Sequence, residues 1–545
     1  MLQRLKNLES NFTISKAALI VGFFTFLAKL VAFVRDPLFS SKFGGENIYI
    51  LDIYNAAFRI PDFISNLLIL GTLAAAFIPI YIELVVKDKE HAGRLASTVF
   101  NSVCLGISLI CLVTFIFARP FTHLLVPGFG GAIFDQTVKL TRLFLLSPII
   151  FGASSIFTNI LYANKKFIIA GLAPLFYNLG IIFGVLFLYD SYGIMGLGYG
   201  VILGAALHLL IQLPSAIANG FSWQPILDFK DLALRKMLKL YIPRIFSLDI
   251  SHISLIVSTI IGSHLASGSI AIFNLANNLH SVPIGIFGIS FAIAAFPSFS
   301  ESFARKDEQS FVQTLYKTIF QIMFFALPLS VAFLLYRAHI VRLYLGHGNF
   351  TWENTILTFS VLGTLSFSLF SQSLTPLLTR AFYGRQNTII PVIINLVSMV
   401  LNGSLAYVFA KHYGVVGLAA GFSIASIFNT ICLFIILHHM LSESSAKNGV
   451  SLGEYDKNLI IRIFKILTAS VLMGGVGYLS LRLLEPFVNN ETFVGLFLQT
   501  GGSALLAGIT FLAAALILKL KPAENIMNLI KRIFGFFYRL LPFWN

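Results

Sequence analysis

Residues 53–90 read IYNAAFRIPDFISNLLILGTLAAAFIPIYIELVVKDKE, and residues 272–308 read IFNLANNLHSVPIGIFGISFAIAAFPSFSESFARKDE. Both stretches open with Ile, an aromatic residue and Asn, continue into an Ala-rich run that ends at a proline, and finish in mixed charges. Membrane transporters are often built from two such related halves. The repeat therefore predicts an amino-terminal lobe over residues 1–220, a carboxyl-terminal lobe over residues 230–440 and two additional helices within residues 455–520.

The composition around these stretches predicts a membrane protein. Of the 545 residues, 57% are hydrophobic and only 11% are charged, whereas a soluble domain has roughly 25% charged residues. Apolar windows of roughly 20 residues, the length that crosses the hydrocarbon core, predict fourteen transmembrane helices. They lie near residues 14–34, 51–86, 92–117, 137–161, 166–189, 192–217, 237–264, 269–300, 310–336, 352–377, 386–410, 413–440, 458–482 and 493–519. The predicted fold class is all-α and polytopic, with two six-helix lobes plus two helices.

The 38 Lys and Arg residues cluster in alternate gaps between the apolar segments. Because basic residues accumulate in cytoplasmic loops, this pattern predicts that both ends of the chain are cytoplasmic. Residues 521–545 mix Lys and Arg with Phe, Leu and Trp. That mixture is typical of an amphipathic helix on the cytoplasmic leaflet, with a poorly ordered tail as the alternative.

A further group of basic residues falls within or at the ends of the predicted spans, where a charge is costly unless it faces a cavity or a partner. These residues are Lys29, Arg35, Arg59, Lys139, Arg142, Arg244 and Lys317. Lys29 lies deepest in the first span and is the sharpest candidate for a cavity cation, although it could also extend along the helix to reach the interface. Arg35 could instead anchor a helix end beside Asp36, and Arg59 could pair with Asp52 or Asp62.

Other functional classes lack sequence support. The net charge of +15 is spread over many short segments and forms no aromatic-flanked patch, so nucleic-acid binding is not indicated. The cysteines lie inside apolar helices without CxxC spacing, which predicts neither a metal site nor a disulfide framework. No phosphate-binding loop or HExxH motif is present, and we expect no enzyme activity and no cofactor.

Three segments carry a resemblance to a known family. The run AKLVAFVRDPLFSSKFG at residues 28–44, followed by AFRIPDF at 57–63 and AAAFIP at 74–79, resembles the amino-terminal signature of the MurJ/MviN family of bacterial lipid II flippases. Residues 268–300 resemble the eighth helix of that family. The resemblance implies the two-lobe fold of the superfamily that also contains drug exporters and polysaccharide flippases, located in the bacterial cytoplasmic membrane.

The resemblance also implies a function in peptidoglycan biosynthesis and thus in cell shape. The family substrate is an undecaprenyl pyrophosphate that carries a disaccharide-pentapeptide, and it crosses the membrane by alternating access with its tail along the last two helices. Cations and polar groups in a wet cavity can replace the hydration of such an anionic head. The substrate-binding residues implied here are Lys29, Arg35, Asp36, Asp52, Arg59, Asn277 and Asn278. Membrane lipids and cell-wall synthesis enzymes are the implied partners.

The chain departs from the family pattern at three positions. Lys29 stands where most members have Arg, and so it lacks the bidentate guanidinium fork. A basic residue of the second helix falls at about Ser65 or Asn66, and an Arg of the eighth helix falls at about Asn278. These changes leave open a carrier for another polyprenyl-linked glycan or amphiphile, or a non-transporting scaffold of cell-wall synthesis.

The energy source is a separate expectation. Asp249 is a carboxylate near the predicted midplane of the seventh span, close to His252. Such an oxygen ligand suits a sodium ion, and the alternatives are an ion pair with Arg244 or a protonated buried acid. The expected energy source is therefore coupling to sodium or protons, or alternatively the membrane potential acting on the charged cargo without an ion site.

Overall fold

The structure is a computed structural model that describes residues 14–68, 72–245, 250–447 and 451–540. All regular elements in these ranges are helices: the 3₁₀ segments Gly45–Ile48 and Glu485–Phe487, the π-helical segments Gly184–Leu188 and Ile284–Ile289, and the α-helices. In chain order they are α1 (Ile14–Phe43), α2 (Tyr49–Leu68), α3 (Thr72–Lys87), α4 (Lys89–Ile116), α5 (Ala118–Leu125), α6 (Gly131–Phe144), α7 (Leu146–Ala163), α8 (Phe167–Phe183), α9 (Tyr189–Tyr192), α10 (Ile194–Leu210), α11 (Leu213–Ala218), α12 (Leu232–Ile245), α13 (Ile250–Gly262), α14 (Ser269–Pro283), α15 (Ser290–Ala304), α16 (Glu308–Leu345), α17 (Trp352–Ser366), α18 (Leu369–Gly384), α19 (Ile389–Lys447), α20 (Leu452–Leu484), α21 (Phe493–Ile517) and α22 (Lys521–Leu540).

Within the described residues, nine helical runs are long and apolar enough to cross a membrane, and the bent pair α17–α18 makes a tenth. The nine are Lys89–Ile116, Gly131–Ala163, Phe167–Tyr192, Ile194–Ala218, Ser269–Ala304, Glu308–Leu345, Ile389–Ser444, Leu452–Phe487 and Phe493–Ile517. The long run of α19 contains two of the predicted spans, because Gly414 adopts a φ of 56° and breaks the helix there. The predicted all-α polytopic fold is confirmed.

Several predicted segments are divided in the structure. The expected helix over 51–86 is formed by α2 and α3, and the expected helix over 137–161 is formed by α6 and α7, which meet at Leu145. The expected amphipathic segment contains α22, on which Lys531 and Arg532 are exposed. Helices α6 and α7 still form one apolar run, Gly131–Ala163, that is long enough to cross a membrane.

The chain separates into two compact units. The first unit is Met1–Ala271 with His347–Phe350, and the second is Ile272–Gly346 with Thr351–Asn545. Helices α12 and α13, which the sequence repeat assigns to the second lobe, belong to the first unit by their contacts. The lobe boundaries read from the repeat therefore remain a prediction.

In the first unit, α8 and α10 approach each other closely through paired glycines. A Cβ atom at Gly180 would lie 2.3 Å from the Cα of Gly204, and one at Gly184 would lie 2.6 Å from the Cα of Gly200. Small residues four apart on both helices allow backbone-to-backbone packing inside a membrane, where dispersion contacts replace hydrophobic driving force. This pair forms a rigid support behind α1, which packs on α8.

In the second unit, α16 is the central helix and packs against α20, α17 and α18. Near its start, Arg385 and Glu308 form an ion pair whose side chains are only 10% and 11% exposed, with a distance of 2.8 Å from Nη1 to Oε2. Further along, the Tyr336 hydroxyl lies 2.8 Å from the Ser503 hydroxyl of α21. Polar contacts thus hold α16 to its neighbours at both levels.

Candidate functional site

The first candidate, Lys29, lies on α1 and is exposed. Its ammonium group makes no hydrogen bond or ion pair with any described residue. The apolar side chains Phe26, Leu30 and Phe33 on the same helix are 60%, 44% and 44% exposed. Lys29 is therefore a cation in an apolar surrounding without a protein counter-charge in the described chain.

Arg35 lies near the end of α1 and has protein partners. Its Nε and Nη2 atoms lie 3.2 Å and 3.0 Å from the same carboxylate oxygen of Asp36. Its Nη1 atom donates to the amide oxygen of Asn178, on α8, at 3.4 Å. The Arg35 side chain keeps 26% of its surface exposed, so the guanidinium is held in place but remains accessible.

An aromatic cluster from α1, α2 and α6 lies near the Arg35–Asp36 pair. The Tyr54 ring lies 4.9 Å from the Phe39 ring and 5.6 Å from the Phe144 ring, measured between centroids. Phe58 packs on Phe144 at 4.4 Å. Rings at these separations attract one another beyond simple burial, and they fix the orientation of α1 relative to α2.

Arg59 connects α2 to α13. Its Nε atom donates to the Thr259 hydroxyl at 2.9 Å, and that hydroxyl in turn donates to the carbonyl of Leu255 at 2.8 Å. The sequence left open a pair with Asp52 or Asp62. Asp62 lies close enough to interact electrostatically with Arg59.

Asp52 is a buried carboxylate whose contacts are with the protein backbone. Its side chain is buried, with 4% of the residue exposed. One carboxylate oxygen accepts the backbone N–H of Gly268 at 2.5 Å, and the other accepts the N–H of Ala271 at 2.7 Å. These donors belong to the N-terminus of the helix that begins at Ser269, where unpaired N–H groups favour a negative charge. The geometry thus makes Asp52 a helix cap supplied from a distant part of the chain.

Comparison with known proteins gives the family. The sequence profile described as Lipid II flippase MurJ matches residues 40–498, which is most of the chain. The chain belongs to the MurJ family of lipid II flippases. Members of this family are transporters and not enzymes, and this MurJ-family chain is a multi-span membrane protein.

Curated relatives agree with this assignment. A probable lipid II flippase MurJ from Borreliella burgdorferi is 27% identical over 77% of this chain and 83% of the relative. A protein with the same description from Thermotoga maritima is 26% identical over 85% and 89%. The extent of these matches agrees with the resemblance found in the sequence.

Solved structures with the same fold extend beyond the family. A structure described as lipid II flippase MurJ in an inward closed conformation has a TM-score of 0.74 at 24% identity and covers 93% of this chain and 100% of its own. An inward-facing multidrug transporter of the MATE family has a TM-score of 0.62 at 18% identity and covers 77% and 96%. The fold of the MurJ family is therefore shared with drug transporters.

Ser65 and Asn66, near which the resemblance predicts a basic residue, make local contacts. The Ser65 hydroxyl donates to the Pro61 carbonyl at 3.0 Å, and the Asn66 amide donates to the Asp62 carbonyl at 2.8 Å. Both side chains therefore bond to their own helix, α2. They supply no positive charge to this part of α2.

The two asparagines from the eighth predicted span belong to the second unit. Asn278 is exposed and Asn277 is half-buried. The proposed ion ligand Asp249 lies outside the described residues, as does the side chain of Arg244.

Two further polar residues near α1 were not predicted. Asn178 lies 143 residues from Arg35 in sequence, and no charge marks it. Lys42 pairs with Asp190 at 2.7 Å and donates to the carbonyl of Val185 at 2.8 Å. In this member of the MurJ family, contacts with α8, with Val185 directly after it and with α9 therefore set the positions of these α1 charges.

Proposed function

We propose that this chain moves lipid II from the cytoplasmic to the outer leaflet of the bacterial cytoplasmic membrane by alternating access. The observation that carries the proposal is Lys29, a cation on an apolar helix without a counter-charge in the described chain. A basic residue inside a membrane span costs about 3 kcal/mol. An anionic ligand that binds Lys29 offsets this cost, and the pyrophosphate of lipid II has the required charge.

Arg35 has a different role in the proposed cycle. Asp36 holds the guanidinium through two hydrogen bonds while the site is empty, and Asn178 fixes its direction. A pyrophosphate oxygen competes with Asp36 for these N–H groups, because charge-assisted bonds to Arg are strong with either acceptor. Asp36 therefore acts as a placeholder whose release accompanies substrate binding.

The remaining candidates complete the proposed path. Arg59 contributes a further cation from α2. Asn277 and Asn278 stay proposed hydrogen-bonding residues for the sugar or phosphate groups. Asp52 supports this arrangement as a helix cap rather than as a substrate contact. In this proposal, residues 1–220 and residues 230–440 form the two lobes of the transporter.

The surroundings of the path are part of the same proposal. The undecaprenyl tail stays in lipid along residues 455–520, and both chain ends are cytoplasmic, with the segment 521–545 on that leaflet. Sodium, proton or membrane-potential coupling provides the energy, with Asp249 as the proposed ion ligand. Cell-wall synthesis enzymes are the proposed protein partners that use the product.

The test is complementation of a bacterial strain depleted of its own lipid II flippase. The native chain is compared with Lys29→Ala, with Lys29→Arg, which keeps the charge, and with Lys139→Ala. Lys139 is the matched control because it is also exposed and forms no ion pair in the described chain, but it shares a helix face with Asp135 and Arg142 on α6. Blots verify expression and insertion of each variant.

We expect the native chain, Lys29→Arg and Lys139→Ala to rescue growth and Lys29→Ala to fail. Rescue by well-expressed Lys29→Ala would remove Lys29 from the site but leave the function standing. Failure of the correctly inserted native chain would favour a carrier of another polyprenyl-linked glycan, which the neutral residues Ser65, Asn66 and Asn278 also favour, or a scaffold. Extraction of accumulated lipid-linked precursors would separate these two outcomes.

A further inference from the structure

The connection between α11 and α12, residues 219–231, is held along α4 by a set of hydrogen bonds. The Ser97 hydroxyl donates to the carbonyl of Ser222 at 2.8 Å, and the Asn101 amide donates to the carbonyl of Gln224 at 2.8 Å. The indole N–H of Trp223 donates back to the Asn101 side-chain oxygen at 3.0 Å. This connection, which we call the interlobe strap, is therefore a fixed part of the first unit.

A narrow apolar groove of about 180 Å³ lies beneath the interlobe strap, between α3, α4 and α12. Val99, Gly106 and Ile110 line it from α4, Met237 lines it from α12, and Phe229 of the strap stands at one end. None of the substrate candidates lines this groove. It is a separate feature of the first unit.

The groove lies in one leaflet. Arg119 follows α4 and carries an ion pair with Asp135 at 2.9 Å, as expected at a membrane surface. A span of roughly 20 residues that ends at Arg119 places the opposite boundary of the hydrocarbon core near Val99. The groove residues from Val99 to Ile110 then cover about 17 Å of helix, which is close to the roughly 15 Å of a single leaflet. The groove is therefore about as long as one acyl chain of the leaflet that lies on the side of the strap.

The mouth of the groove has the character of a membrane interface. Trp223, Leu227, Phe229 and Leu232 are 59%, 45%, 56% and 80% exposed. Large aromatic and aliphatic side chains exposed around a Trp indole are typical of the boundary between lipid chains and head groups. The strap therefore places its apolar side chains at the level where a phospholipid head group begins.

Cations surround the same mouth. Lys230, which follows Phe229 in the strap, and Arg235 are exposed. The Arg235 Nε atom donates to the carbonyl of Phe229 at 3.1 Å, which holds the guanidinium beside the groove. Lys236 is excluded from this set because it lies 3.4 Å from Glu83.

The acidic residues nearby already have partners. Glu83 accepts from Lys87 at 2.8 Å, and Asp231 pairs with His91 at 3.1 Å. Asp228 accepts the backbone N–H of Lys230 at 2.9 Å. The five basic residues of this region, Lys87, Lys230, Arg235, Lys236 and Lys239, outnumber the three carboxylates Glu83, Asp228 and Asp231. The net charge of the region is therefore positive and complements an anionic head group.

A polar atom inside the groove points to the same ligand. The Ser102 hydroxyl lines the groove one turn beyond Val99 and has no hydrogen-bond partner within the described ranges. A hydroxyl without a partner in an apolar site is costly. The ester carbonyl of a glycerolipid reaches this depth, just inside the head group, and accepts a hydrogen bond from Ser102.

We propose that this groove binds one anionic glycerophospholipid. One acyl chain lies between α3, α4 and α12, an ester carbonyl accepts from Ser102, and the phosphate contacts Lys230 and Arg235. The bound lipid seals the interlobe strap to α4 and makes the stability of the first unit depend on anionic lipid. The proposal does not depend on the identity of the transported substrate.

The test uses the purified full chain, washed in mild detergent and analysed by native mass spectrometry with added phosphatidylglycerol or phosphatidylcholine. Gly106→Leu fills the groove, because a Cβ atom there meets nothing within 4 Å, and Leu is a better helix former than Gly. Gly93→Leu is the matched control, since it makes the same change on α4 in equally open space outside the groove.

We expect the native chain and Gly93→Leu to retain one phosphatidylglycerol and Gly106→Leu to retain at least tenfold less. The double variant Lys230→Gln/Arg235→Gln should lower the preference for phosphatidylglycerol over phosphatidylcholine by about thirtyfold, at about 1 kcal/mol for each basic residue. Equal retention by Gly106→Leu, an unchanged preference in the double variant, or occupation by a polyprenyl lipid in place of a phospholipid would each overturn the proposal.

Discussion

Replacement of Asp52 separates a structural role from a substrate contact. In the structure its carboxylate accepts two backbone N–H groups, from Gly268 at 2.5 Å and from Ala271 at 2.7 Å. The residue is 4% exposed, so water cannot readily take over either bond. We expect Asp52→Ala to destabilise the protein strongly and Asp52→Asn to destabilise it less.

The magnitude follows from the two donors. A buried N–H without an acceptor costs about 1–3 kcal/mol, so Asp52→Ala should lower the free energy of unfolding by about 2–6 kcal/mol. Asp52→Asn keeps one acceptor oxygen and should lose about half of that. Asp135→Ala serves as the control, because its ion pair with Arg119 is solvent-exposed, and such pairs contribute about 0–1 kcal/mol.

The assay combines thermal unfolding of each purified variant with binding of lipid II to the folded fraction. We expect the order Asp52→Ala, Asp52→Asn, Asp135→Ala from least to most stable, with binding per folded molecule unchanged in all three. Asp52→Ala could instead have the same unfolding temperature as the native chain but lose lipid II binding. In that case Asp52 contacts the substrate, and the cap interpretation is wrong.

Two further predictions concern the helix packing of each unit. Gly184→Leu should separate α8 from α10, because a Cβ atom would lie 2.6 Å from the Cα of Gly200. We expect this variant to have a lower unfolding temperature than the native chain. Gly508→Leu, in open space on α21, is the control and should leave the unfolding temperature unchanged. Glu308→Gln should cost about 3–5 kcal/mol, because it leaves the buried Arg385 guanidinium without its counter-charge. Measured by thermal unfolding, a double variant with Arg385→Met should recover part of that loss, and a double variant as unstable as Glu308→Gln would contradict this explanation.

Much of the fold could be predicted from the sequence because apolar length and charge are local properties. Each span is decided by whether about 20 consecutive residues can replace water by lipid, and no partner needs to be known for that decision. The positions at which helices end inside an apolar run are harder to predict from the sequence. Leu145 and Gly414 end helices within apolar runs, and hydropathy alone is the same on both sides of such a break.

The candidate site shows the same division. Lys29, Arg35 and Arg59 stood out because a charge in an apolar span is conspicuous by itself. The contacts of Arg35 with Asn178 and of Arg59 with Thr259 join residues 143 and 200 positions apart, and neither partner is charged. No periodicity or spacing in the sequence indicates these pairs.

Asp52 illustrates what only the tertiary structure decided. The family resemblance places it among the predicted substrate-binding residues. In the folded chain its carboxylate faces the N–H groups of Gly268 and Ala271. The sequence by itself determined the class of protein, its spans and its unusual charges, because these depend on the exchange of each segment between water and lipid. Tertiary structure decided which charges are satisfied within the protein, because a hydrogen bond depends on distances between atoms that the chain brings together only when it folds.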